Sequence, residues 1–276
     1  MPTTRFAPSP TGYLHLGHAF SALVAQAAAG PNGRFLVRIE DIDLSRSKPV
    51  FEQAILEDLT WLGLKFERPV RRQSAHFDDY AQALARLTQM GVTYPCFCTR
   101  GQIAAEIAAA GDAPQGPDGP LYPGTCRALP MDLRAERLDS GERPAIRLNA
   151  ARAADIVGPL VFHEHDQIMA VDPFLSGDIV LARRDAGIAY HLAVVHDDDV
   201  QGVDLVTRGI DLLPATHVQR VLQALLGYDV PAYAHHRLIY DSNGTRLAKR
   251  IGSKSLRDLI KAGLTLPDLR AQLNLD

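Results

Sequence analysis

Apolar positions along the chain follow two alternating periods. Residues 3–7 (TTRFA) predict a short buried strand, residues 18–29 an Ala/Leu/Val-rich helix, and residues 34–39 (RFLVRI) a second strand. Ile55, Leu59 and Leu62 set apolar positions at helical spacing within residues 49–62, and another helix is predicted over residues 77–90. Strands alternating with helices predict an α/β fold, a parallel sheet covered by helices, with ligands beyond the carboxyl ends of the strands.

The pattern changes over residues 94–127, which hold all three cysteines and the Gly/Pro-rich run 111–124. An inserted module is expected there. Short β-like runs follow at 145–148, 157–163 and 179–182, then an amphipathic helix at about 215–226 and two small helical patterns after Lys254. The expected division is residues 1–93 as the first half of a Rossmann-like domain, 94–178 as the inserted module, 179–240 as the second half, and 241–276 as a basic loop with a short helical tail.

Composition narrows the function. Hydrophobic residues make up 46% and charged residues 22% of the 276, ordinary usage for a globular protein. A formal net charge of -3 argues against non-specific coating of nucleic acid and confines any RNA contact to a local patch. The N-terminus has no apolar core of the secretory kind and no stretch is long enough to span a bilayer, so a soluble, cytoplasmic protein is expected; a monomer is expected separately. Cys96, Cys98 and Cys126 cannot all pair with one another. They are candidate metal ligands or, alternatively, small buried apolar residues.

The first chemical motif lies where a strand hands over to a helix, in Arg5-Phe-Ala-Pro-Ser-Pro-Thr-Gly-Tyr-Leu-His15-Leu-Gly17-His18. Free backbone N–H groups and the helix dipole favour a phosphate there, Gly17 allows close approach, and the two imidazoles can donate to phosphoryl oxygens; the alternative is a capped helix with two surface histidines. Arg5 and Arg208 are read either as a pair of surface arginines or as residues at two strand ends, where their guanidinium forks would meet a carboxylate in one crevice. Glu40, at another strand end, can accept from an α-ammonium. Asp41 and Asp43 read as a solvated acidic turn. His163, His165, His235 and His236 have no spacing that supports a role, and His196 reads as neighbourhood.

RFAPSPTGYLHLGH resembles the N-terminal signature of glutamyl-tRNA synthetases and their relatives among the class I aminoacyl-tRNA synthetases. Arg38-Ile-Glu40-Asp41-Ile-Asp43, Tyr190-His-Leu-Ala-Val-Val-His-Asp197-Asp198, Val206-Thr-Arg208-Gly-Ile-Asp211 and Arg246-Leu-Ala-Lys249-Arg250 resemble later blocks of that family in the same order. The last stands where the family has its mobile KMSKS loop, with Ala248 in place of the central serine. Only residues 251–276 follow that loop, so the expected layout lacks the anticodon-binding domain. It is similar to that of the truncated relatives, the glutamyl-queuosine tRNA(Asp) synthetases.

The resemblance implies a class I synthetase Rossmann-like sheet with an inserted zinc-binding or acceptor-type module. It implies ATP-dependent activation of L-glutamate without tRNA, then transfer to the queuosine base of tRNA(Asp). Arg5, Phe6, Ala7, Pro8, Ser9, Glu40, Tyr190 and Arg208 would touch glutamate. His15, Gly17, His18, Arg246 and Lys249 would bind ATP, with His15, His18 and Lys249 catalytic and Mg²⁺ accompanying the nucleotide. Cys96, Cys98, Tyr122 and Cys126 would bind one structural Zn²⁺, the tyrosine entering only through the family's C-x-C…Y-x-x-x-C pattern. The rivals are a discriminating glutamyl-tRNA synthetase, another nucleotidyltransferase, and a non-catalytic RNA- or metal-binding paralogue.

Overall fold

The computed structural model describes residues 1–110, 114–185, 187–240 and 254–275. Strand Thr3–Phe6 pairs in parallel with Arg34–Ile39, and that strand with the two-residue Arg71–Arg72. A second parallel ladder joins Leu205–Gly209 to Ala232–His236. The two ladders meet at Thr3: Asp204 N–H donates to Thr3 O at 3.2 Å, and Thr3 N–H to the Asp204 carboxylate at 2.7 Å. All four residues of the first strand are buried, as a strand covered on both faces requires.

Helix Leu16–Ala29 buries Leu16, Ala19, Phe20, Ala22, Leu23, Ala25 and Ala29, whose recurring three- and four-residue separations form a broad apolar face against the first ladder. Helix Leu213–Leu226 opens with Pro214 in its first turn and stops at Gly227, whose φ of 67° is a left-handed cap that suits glycine. In the tail, Ser255 and Thr265 cap the helices Leu256–Lys261 and Leu266–Gln272. These helices bury Leu256, Leu269 and Leu273 in the same core as Phe6 and Val37. Among the described residues no helix is long and apolar enough to cross a membrane.

A separate four-stranded antiparallel sheet joins Thr93–Cys96, Ala145–Leu148, Val180–Arg183 and Gly187–Ile188. Its pairing cuts across the expected boundary after residue 178, because Val180–Arg183 belongs to this sheet and not to the second Rossmann-like half. Conversely, Val161–Glu164, expected within the inserted module, runs parallel to Ala232–His236 and forms a hairpin with Gln167–Ala170. Strand partners are chosen by long-range backbone hydrogen bonding, which local apolar spacing does not encode.

The β-like run expected at 157–163 is the end of helix Ala150–Val157 followed by the strand from Val161. Helices Arg100–Ala110, Met131–Asp139 and Tyr190–Val200 gave no periodic signal. Met131–Asp139 buries nothing, whereas Tyr190–Val200 buries Leu192, Ala193, Val194, Val195, Asp197 and Asp198 and so has no polar face to mark it.

Candidate active site

The carboxyl ends of four parallel strands, Thr3–Phe6, Arg34–Ile39, Leu205–Gly209 and Ala232–His236, and the start of the first helix converge on a cleft of about 470 Å³. Arg5, Phe6, Ala7, Pro8, Ser9, His15, Gly17, His18, Glu40, Tyr190 and Arg208 all line it, so every glutamate-side candidate and both histidines meet in one place. Arg246 and Lys249, with Ala248 and Arg250, lie outside the described residues. The sequence also left out part of the lining, including Thr207, Gly209, Asp211 and His236. At Gly209 an added Cβ would stand 2.5 Å from Asp211 Oδ1 and 2.9 Å from Leu238 Cδ2, so a side chain there would require those two side chains to shift.

His15 is the N-cap of helix Leu16–Ala29. Its Nδ1 accepts from Gly17 N–H at 3.1 Å, and His18 Nδ1 accepts from His15 N–H at 3.2 Å. Because both Nδ1 atoms accept, each neutral ring carries its proton on Nε2 and is a donor there. The ring centroids are 3.8 Å apart. Two donors beside a helix N-terminus suit an anionic ligand.

The two arginines are not equivalent. Arg5, 4% exposed, donates from Nε to Asp198 Oδ1 at 2.9 Å and from its terminal nitrogens to Asp198 Oδ2 and Thr207 O, so its charge is neutralised. Arg208, 6% exposed, donates to three neutral acceptors: His235 Nε2 at 3.0 Å, Gln219 Oε1 at 2.8 Å and Thr216 Oγ1 at 2.7 Å. The Tyr233 ring lies 5.4 Å from its guanidinium carbon. Among the described residues no carboxylate pairs with Arg208, and two of its five N–H groups remain after these three bonds. A buried cation in that state is costly until an anion reaches it.

Beneath the cleft is a charge network that sequence reasoning overlooked. Arg38, fully buried, donates to Asp198 Oδ1 at 2.8 Å, Gln201 Oε1 at 3.0 Å and Glu40 Oε1 at 3.4 Å. Burial alone would lower its pKa, but Asp198, Asp197 and Glu40 together hold it above its ordinary value. Burial likewise opposes ionisation of Asp198, and Arg5 and Arg38 overcome it, so its carboxyl titrates below the usual range. Asp197 accepts from Arg71 Nε, Gln73 Nε2 and the Tyr80 hydroxyl. The helix Tyr190–Val200 therefore presents Tyr190 to the cleft at its start and anchors the cleft floor through Asp197 and Asp198 two turns on. Burial keeps the Tyr190 phenol protonated, hence a donor, at neutral pH.

Glu40 is poised differently. Burial pushes its carboxyl up to about 7 despite Arg38 and Arg5. If the charged form receives an α-ammonium, affinity requires ionised Glu40, is full above pH 7 and falls as pH drops through it. KM for the amino acid is expected to rise about tenfold from pH 8 to pH 6, which amino-acid-dependent pyrophosphate exchange measures. A flat profile would remove Glu40 from that role.

Several sequence expectations change. Asp41 is not part of a solvated turn: it is 8% exposed and accepts from Ser74 N–H at 2.8 Å and Ser74 Oγ at 2.6 Å. Asp43 does pair locally, with Ser45 and Arg46. His235, given no role from its spacing, is 6% exposed and bonded to Arg208. Thr216, Gln219 and Gln223, buried at i, i+3 and i+7 on one face of Leu213–Leu226, were a legible signal of polar partners inside the core.

In the antiparallel module the sulfur atoms of Cys96, Cys98 and Cys126 all lie within 4.8 Å of one another, and Cys98 Sγ is 3.3 Å from Cys126 Sγ. Tetrahedral thiolate coordination sets sulfurs about 3.8 Å apart, so this cluster could hold a metal ion. The Tyr122 hydroxyl stands 3.4 Å from Cys96 Sγ and 3.5 Å from Cys98 Sγ and accepts from Cys126 N–H at 2.9 Å. Arg147 packs its guanidinium 3.9 Å from the Tyr122 ring centroid and fixes the ring.

A model of the catalytic domain of class I tRNA synthetases (E and Q) matches residues 2–267. The chain belongs to that family. It is therefore an enzyme of the class I synthetase ligases. Among the class I relatives, the glutamyl-Q tRNA(Asp) synthetase of Rhodobacter capsulatus is 46% identical over 99% of each chain. Glutamate–tRNA ligase 2 of Acidithiobacillus ferrooxidans is 40% identical over 98% of this chain but 57% of its own length. A glutamate tRNA ligase from Elizabethkingia meningosepticum, solved in complex with its amino acid, superposes with a TM-score of 0.74 at 28% identity, covering 95% of this chain and 53% of the other.

Proposed function

We propose that this chain uses ATP to activate L-glutamate without tRNA and then transfers it to the queuosine base in the anticodon of tRNA(Asp). The observation that carries the first step is Arg208, a buried guanidinium with neutral neighbours and unspent N–H groups facing a cleft. A side-chain carboxylate would neutralise it bidentately, while a carboxamide would present one donor group to another donor. Support for the second step is the relative of matching length from Rhodobacter capsulatus, alike along 99% of both chains.

In this reading Glu40 and Tyr190 hold the amino acid's ammonium end, Phe6, Ala7, Pro8 and Ser9 shape the wall, and Arg208 with Arg5 fixes the far carboxylate. The α-carboxylate then attacks the α-phosphorus of ATP in line, and pyrophosphate leaves. Nε2–H groups of His15 and His18 stabilise phosphoryl charge, joined by Lys249 and Arg246 from the KMSKS-like segment. Mg²⁺ accompanying ATP would offset triphosphate charge. The adenylate carbonyl is next attacked by a hydroxyl of the queuosine ring, which releases AMP.

Cys96, Cys98, Tyr122 and Cys126 form the proposed ligand set for one structural Zn²⁺. Metal analysis of protein prepared without chelator is expected to return about one zinc per chain, and the amount should fall sharply in Cys98→Ser. A trace content in the unaltered protein removes the site.

The deciding experiment is ATP–pyrophosphate exchange with each amino acid in turn, without tRNA, followed by transfer to tRNA(Asp) with and without queuosine. Glutamate alone should drive exchange, and only queuosine-containing tRNA should accept it. Exchange driven by another amino acid, or acylation of the RNA 3′ end, overturns the assignment.

A further inference from the structure

We propose that Glu164 and His235 are positioning residues that hold Arg208 in register for the substrate's side-chain carboxylate by locking His235 as its Nδ1–H tautomer. The proposal rests on the glutamate reading above. Arg208 Nε–H can only donate, and it points at His235 Nε2 from 3.0 Å, so that nitrogen must carry a lone pair. The ring proton then sits on Nδ1, 2.6 Å from Glu164 Oε2, while Glu164 Oε1 accepts from His235 N–H at 2.9 Å. Glu164 thus grips both the backbone and the ring of the same residue.

The setting favours a neutral ring. His235 is 6% exposed and stacks on Tyr233 with planes 6° apart, and burial outweighs Glu164 to bring its pKa down to about 4. Protonation would aim a second N–H at the Arg208 guanidinium. The strand pairing that juxtaposes Tyr233 and Glu164 brings the acid from Val161–Glu164 beside Ala232–His236. The negative charge nearest Arg208 on this side is therefore held one imidazole away, which orients the guanidinium without neutralising it. A carboxylate placed directly on Arg208 would compete with the substrate for the same N–H groups.

Glu164→Gln keeps the shape but offers an amide N–H to Nδ1 and permits the opposite tautomer, whose Nε2–H would face Arg208. KM for glutamate in pyrophosphate exchange is expected to rise about ten- to a hundredfold, with kcat and KM for ATP held, as for a loss of uniform binding. His235→Gln, whose carbonyl can accept from Arg208 Nε, should recover part of the affinity that His235→Leu loses. ¹⁵N spectra of histidine-labelled wild-type protein, with His235 assigned by its loss in His235→Gln, should show a neutral Nδ1–H ring. An imidazolium or an Nε2–H ring overturns the proposal, as does a folded Glu164→Gln protein with wild-type KM for glutamate. If wild-type protein shows no exchange with glutamate, the substrate reading fails, and the spectra still decide the tautomer.

Discussion

Arg208→Ala is expected to lower kcat/KM for glutamate in pyrophosphate exchange by about a hundred- to a thousandfold, while KM for ATP moves less than about threefold. The magnitude follows from the guanidinium's position. It is 6% exposed, has no carboxylate partner among the described residues, and is held by His235, Gln219 and Thr216. Removing it would leave the substrate carboxylate desolvated beside an Arg5 already paired with Asp198, a cost of about 3 to 4 kcal/mol. Arg208→Lys should recover little, because an ammonium cannot reproduce a fork that bonds three acceptors on one side and a carboxylate on the other. A thermal melt run alongside separates binding from folding, since the three acceptors also lose their donor. A loss of less than about tenfold in folded protein would move the side-chain carboxylate elsewhere in the cleft.

The second large effect is on stability. Asp198→Asn removes the carboxylate that pairs with Arg5 and that serves Arg38 together with Asp197 and Glu40; the two arginines are 4% and 0% exposed. Leaving the buried Arg5 guanidinium without its paired carboxylate, and Arg38 with one acid fewer, costs about 3 kcal/mol or more. For a chain of this size that corresponds to roughly 6 to 12 °C in Tm, which differential scanning calorimetry reads directly. Glu67→Gln is the control. It breaks the Arg34–Glu67 pair, whose side chains are 52% and 48% exposed, and should change stability by less than about 0.5 kcal/mol. The pH dependence has a definite sign: Asp198 has a depressed pKa, so its contribution is present at neutral pH and is lost on acidification below the usual carboxylate range. Equal melting points for Asp198→Asn and wild type would mean that water or another acid already serves the two arginines.

The two effects share one design. Helix Tyr190–Val200 carries Tyr190 to the cleft and Asp197 and Asp198 to its floor, so the binding surface and a buried ion network are parts of one rigid element. Arg38 is the hub: it touches Asp198 and Glu40 and lies 3.6 Å from Asp197. Through Glu40 the network reaches the cleft, where burial sets a carboxyl near neutrality, and through Asp198 it holds Arg5 against the cleft wall.

The sequence by itself determined the strand–turn–helix opening, the apolar faces of Leu16–Ala29 and Leu213–Leu226, and the clustering of chemistry at strand ends. Those features are local: a few residues' spacing decides which face is apolar and which backbone groups are left to meet a ligand. Only the tertiary structure decided that Arg5 is already neutralised by Asp198 while Arg208 is not, that Asp41 is spent on Ser74, and that an unremarkable histidine and a glutamate in a short hairpin stand behind Arg208. Residues 5 and 198, or 164 and 235, are far apart along the chain, and the charge state of a buried group depends on which partner the fold sets within about 3 Å of it.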